Sequence, residues 1–148
     1  MLPNTRNRVP DSTADNVNEE IQRQIEERVR YYAGHPKKIA RRLRELDEEW
    51  DIERAIEANA AAIGFSGIVL GATVDRRWLT LPALVTAFLF QHAIHGWCPP
   101  IPILRRLGFR TAHEIEQERN ALKALRGDYV DIEKAKDQAG AALDAAAF

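Results

Sequence analysis

The sequence predicts an all-α protein organised around a two-helix membrane hairpin, with long helical extensions at both ends. Three observations carry this. Two apolar segments, Ala58–Val74 and Leu79–Trp97, contain no Lys, Arg, Asp or Glu, although 29% of the 148 residues are charged. Trp78 and Trp97 bracket the second segment, where indoles suit the two headgroup layers. Only Asp75-Arg76-Arg77-Trp78 joins the segments, so they run antiparallel and side by side. Both are short for spans, which need about 20 residues within a range of about 17–25. A buried helical hairpin in a soluble bundle is the alternative.

The formal charge of −1 and the mixed signs along the chain give no basic stripe for nucleic acid. A single cysteine, Cys98, excludes an intrachain disulfide. Met1 to Arg6 has no apolar run after its basic residue and does not read as a cleavable signal peptide.

Residues 1–15 carry two prolines and no periodicity, and read as a disordered arm. An amphipathic helix is expected over 16–34, where Val17, Ile21, Ile25 and Val29 recur every four residues. Residues 36–110 are expected to hold a long helix, the hairpin and an interfacial segment. Pro36 suits a helix first turn. Ile39, Leu43, Leu46 and Trp50 then follow a four-three-four spacing that continues through Glu53, Glu57, Ala60, Gly64, Gly67 and Gly71. One helix from Pro36 to Val74, about 60 Å long, is the economical reading. Its first half presents Ile39, Leu43, Leu46 and Trp50 as a coiled-coil-like cytoplasmic interface. Its second half presents Ala60, Gly64, Gly67 and Gly71 as a packing face, since helices in lipid associate by backbone approach over small residues.

Pro82 falls in the first turn of the second span. The run Cys98-Pro99-Pro100-Ile101-Pro102 is expected to forbid regular helix. Residues 103–110 form a short amphipathic piece, and residues 111–148 a polar helix with a possible break at Gly127 and an Ala-rich end. Basic residues before the first span and after the second favour both arms in the cytoplasm.

Antiparallel packing is expected to bring Glu57 and Asn59 to the layer holding Gln91, His92, His95 and Cys98. These residues form a polar interfacial layer, with neither a metal site nor a cofactor expected. Catalytic Ser/His/Asp sets and phosphate-binding glycine loops are absent from the sequence.

Glu53-Arg54 ahead of a Gly-rich span, then Gly96-Trp97-Cys98-Pro99 and Leu107-Gly108-Phe109-Arg110-Thr111, resemble the YgaP-like transmembrane domain family over roughly residues 50–112. That resemblance implies a two-helix domain of the bacterial inner membrane and no particular reaction. The expectation is therefore a non-catalytic membrane anchor or scaffold, held in the bilayer and joined to itself or to a larger membrane complex. The runner-up is a membrane adjunct to sulfur or redox chemistry, using Cys98 or a His92/His95 site.

Overall fold

In a computed structural model, which describes residues 3–147, the chain is helical throughout, with no strand among the described residues. It divides into two compact units. One comprises Met1–Gln22 and Trp50–His113, the other Arg23–Glu49 and Glu114–Phe148.

Helix α1, Asp15–Ala33, follows the expected stripe: Ile21 and Ile25 are buried, Val17 and Val29 half-buried. Helix α2 is Ile39–Glu48 and helix α3 is Ile52–Thr73. The single helix expected from Pro36 to Val74 is thus two helices. Glu49 and Asp51 adopt extended backbone, and the Asp51 carboxylate accepts the Arg54 N–H at 2.7 Å as the cap of α3. The Ile52 N–H, freed by the break, donates to the Arg110 carbonyl at 2.8 Å. An acidic side chain that satisfies orphan N–H groups starts a new helix wherever the chain can turn. The four-three-four spacing runs on across the break, so periodicity alone hides it.

In the first unit, α3 packs against helix α4, Thr80–His95, through a 3-10 turn at Arg76–Leu79 that Asp75 caps. Gly67 and Gly71 are buried at this contact. A Cβ on Gly67 would lie 2.6 Å from Pro82 Cδ and 3.3 Å from the Trp78 carbonyl oxygen. Half of the expected packing face is therefore real. Ala60 is only half-buried, and nothing lies within 4 Å of where a Gly64 Cβ would be. α4 ends at Gly96, whose left-handed φ of 75° turns the chain back.

The proline run does not forbid helix. It starts α5, Ile101–Arg106, with Pro100 as cap and Pro102 in the first turn, where missing N–H groups cost nothing. The N-terminal arm is likewise ordered over its described residues. Val9 is 2% exposed and joins Ile52, Ile56, Cys98 and Ile101 in the core, with Leu89, Leu104 and Phe109 packed around them. Pro10–Ser12 forms a 3-10 turn, and the Asn18 side chain ties it to α1 by donating to the Pro10 carbonyl. An anchor of one buried valine was invisible to composition, which sees only prolines and polar residues.

In the second unit, Ile39, Leu43 and Leu46 of α2 are buried with Tyr32, Ile115 and Leu122, so three of the four expected interface residues form an intramolecular core. Trp50 does not join them. It sits in the extended break, 46% exposed, with the Arg54 guanidinium 4.4 Å above its ring. Helix α6, Ala112–Arg126, ends before Gly127, and helix α7, Gln138–Ala147, follows a 3-10 turn. The Ala-rich end is thus helical. The buried Lys123 ammonium donates to the Ala145 and Ala146 carbonyls, placing a cation at the negative end of α7. The fully buried Glu118 carboxylate receives Arg28 Nε at 3.1 Å and Arg42 Nε at 2.8 Å.

Candidate functional site

The first unit holds a buried polar cluster whose members differ from those of the expected polar layer. Its centre is His92 on α4, 4% exposed, whose Nε2 lies 2.5 Å from Glu53 Oε2 on α3. The other carboxylate oxygen accepts from Arg8 Nη2 at 2.9 Å, and Arg8 Nη1 donates to the Ala93 carbonyl at 3.0 Å. Glu53 precedes the uncharged segment that begins at Ala58. Burial pushes its carboxyl upward, but the hydrogen bonds from His92 and Arg8 outweigh this and hold it below the ordinary value.

The backbone around Gly96 builds the remainder. Its N–H donates to the His92 carbonyl at 2.8 Å, and its missing side chain leaves room for the Arg8 backbone, which a Cβ would meet at 2.1 Å. The reversal returns Cys98 to the core, 2% exposed, beside the imidazole. His92 Nδ1 is buried without a hydrogen-bond partner. The result is a buried Arg8–Glu53–His92 cluster, with Cys98 in the adjoining core.

Of the residues expected here, His92 and Cys98 are brought together. Glu57 is exposed and makes no part of it; Glu53, one turn earlier, takes its role. Asn59 bonds back to the Ala55 carbonyl of its own helix. Gln91 is half-buried. His95 is exposed and contributes only its carbonyl, which accepts from Ser12 Oγ at 3.2 Å. His92 and His95 therefore face different surroundings, one buried and one exposed. No cluster of three or more His, Cys, Asp or Glu is arranged to hold a metal ion among the described residues.

Beside Cys98 opens an apolar groove of about 320 Å³. Ile56, Ala60 and Ile63 of α3 form one wall and Leu84, Val85 and Phe88 of α4 the other, with Cys98, Pro99 and Pro100 at one end. Arg8 and the groove had no signal in the sequence, because both arise from long-range packing.

Comparison with known proteins finds no matching family model, no similar curated protein and no similar solved structure. The likeness to the YgaP-like domain rests on the short motifs that suggested it.

Among the described residues, one helical stretch, Pro36–Thr73, is long and apolar enough by length and composition to cross a membrane, and only 28% of its apolar window is buried. That apolar part is α3. With 16 residues, α4 falls below the length of a span.

Proposed function

We propose that the chain is an integral membrane anchor, with α3 and α4 inserted as a hairpin and both polar arms on the cytoplasmic side of a bacterial inner membrane. The observation that carries this reading is the apolar surface of the hairpin. Phe65, Val74 and Phe90 are about 70% exposed, and Ile68 and Leu84 more than half. A water-soluble monomer rarely presents so much contiguous apolar surface. Trp78 and Trp97 are both partly exposed, one before α4 and one after it, as headgroup contacts require. At about 1.5 Å per residue α4 is shorter than the hydrocarbon core, and the flanking 3-10 turn and Gly96-Trp97 extend it, with local thinning of the bilayer for the rest.

The orientation follows from Arg54, Arg105, Arg106 and Arg110 near the outer ends of the hairpin, against Arg76 and Arg77 in its turn. Self-association, or a place in a larger membrane complex, accounts for apolar surface that lipid alone need not cover. The anchor is read as non-catalytic, in keeping with the YgaP-like resemblance.

Extraction of membranes with alkaline carbonate tests the reading. The protein is expected to stay in the membrane pellet. Its release into the supernatant would refute insertion.

A further inference from the structure

The second unit carries a basic face that its own packing leaves unused. From Gly34 to Arg44 the chain holds five Lys and Arg residues and no acid. We infer that Lys37, Lys38, Arg41 and Arg44 dock the second unit on anionic lipid headgroups, a contact with the bilayer surface beyond the hairpin. The inference rests on the anchor reading, which tethers this unit to a membrane.

The turn between α1 and α2 builds the face. A 3-10 turn, Pro36–Lys38, leads into α2. Ile39, Leu43 and Leu46 are buried in the core, so Lys37, Arg41 and Arg44 fall on the opposite, exposed side. Arg42 is not part of it, because Glu118, Glu45 and Glu49 hold its guanidinium. Among the described residues Lys37 and Arg44 form no ion pair. Arg41 has only an exposed contact with Glu45 at 3.5 Å.

Folding gains nothing from charges placed here. Lys37 and Lys38 stand ahead of α2, at the positive end of its macrodipole, where cations are unfavourable. No acidic residue in the first turn of α2 offsets them; Glu45, Asp47 and Glu48 all follow Arg44. A local rule broken without a structural gain points to function.

Two details select a bilayer surface over a long polyanion. Tyr31 is exposed beside the cluster, and tyrosine rings suit headgroup depth. Its hydroxyl accepts from Lys38 Nζ at 2.6 Å and its ring stacks on His35 at 4.2 Å, so the tip is ordered before it meets lipid. The acids after Arg44 confine the basic face to one end of the helix. That suits a patch of headgroups and repels a duplex laid along α2.

Acetylation by N-hydroxysuccinimidyl acetate tests the docking on the full chain reconstituted in vesicles. One basic side chain at an anionic surface strengthens binding about fivefold. Lys37 and Lys38 should therefore react at least about fivefold more slowly in an equal mixture of phosphatidylcholine and phosphatidylglycerol than in phosphatidylcholine alone. Lys134, exposed outside the cluster, should react equally in both. Salt at about 1 M, which shortens the screening length to about 3 Å, should abolish the difference. The double variant Arg41→Gln, Arg44→Gln changes exposed side chains only and keeps both reporter lysines; it should fold normally and lose most of the protection. Full protection in that variant, or protection by a DNA duplex in place of phosphatidylglycerol, would overturn the inference. Retention on phosphatidylcholine vesicles after alkaline carbonate reports insertion separately. A retained chain whose Lys37 and Lys38 react equally in the two lipids would refute the docking and leave the anchor standing.

Discussion

Glu53 and His92 meet at 2.5 Å across the open end of the hairpin, and that contact joins two otherwise apolar helices by a charged hydrogen bond. It stands ahead of the uncharged segment of α3, where His92 of α4 and Arg8 of the N-terminal arm each hold one carboxylate oxygen. Removing it exposes the remaining members. Glu53→Ala should leave the buried imidazole and Arg8 without their acceptor and destabilise the first unit by about 1–3 kcal/mol. Glu57→Ala, on the same helix but exposed, should be nearly neutral. Thermal unfolding of both variants in the same detergent decides it; equal losses would remove the pair's special role.

Acid should find the same contact. The folded-state value of Glu53 lies below the ordinary one, so the unfolded chain takes up a proton there first as pH falls. The stability it contributes is therefore fully present above the unfolded value of about 4.3 and is lost as pH descends through the folded value. The melting temperature should be insensitive to this group near neutrality and drop in that acid window. Glu53→Gln should show a shallower drop, measured as the difference between the two pH profiles.

The glycines of α3 divide into two kinds. Gly67→Ala should cost about 1–3 kcal/mol, because its new methyl group meets Pro82 and the Trp78 carbonyl, which cannot swing away. Gly64→Ala meets nothing within 4 Å and should stabilise the helix by about 0.5–1 kcal/mol. Unfolding of the two single variants, side by side, checks the sign of each effect.

In the second unit, Glu118→Ala should leave Arg28 and Arg42 facing an empty buried site and cost about 3–5 kcal/mol. Chemical denaturation should show the loss. By contrast, Glu26→Ala removes only an exposed i,i+4 pair with Arg30 and should change stability by less than about 0.5 kcal/mol.

The helical character of the two uncharged runs was legible in the sequence because it depends on local signals, among them Pro82 in a first turn. Gly67 and Gly71 were legible for the same reason. The break at Glu49–Asp51 was not, since Ile39, Leu43, Leu46 and Trp50 hold their spacing through it. The one available signal was Asp51 immediately before Ile52, a cap residue ahead of an apolar stretch. Glu57 was expected in the polar layer and Glu53 takes its place; both occupy the same seam four residues apart. Only the packing of α3 on α4 chooses between them. Arg8 lies 45 residues from Glu53 and carries no pattern that could pair the two. His92 and His95 sit three residues apart on α4, yet one ring is buried and the other exposed, a difference that spacing alone does not show.

The N-terminal arm is fastened to the far end of α4: Arg8 donates to the Ala93 carbonyl, Ser12 to the His95 carbonyl, and Gly96 is pressed against the Arg8 backbone. On the proposed membrane reading, the first described residues and the end of α4 lie on the same side of the bilayer. A reporter fused ahead of Pro3 reads out the sidedness of both, and a chain whose arm was translocated could not close this clasp.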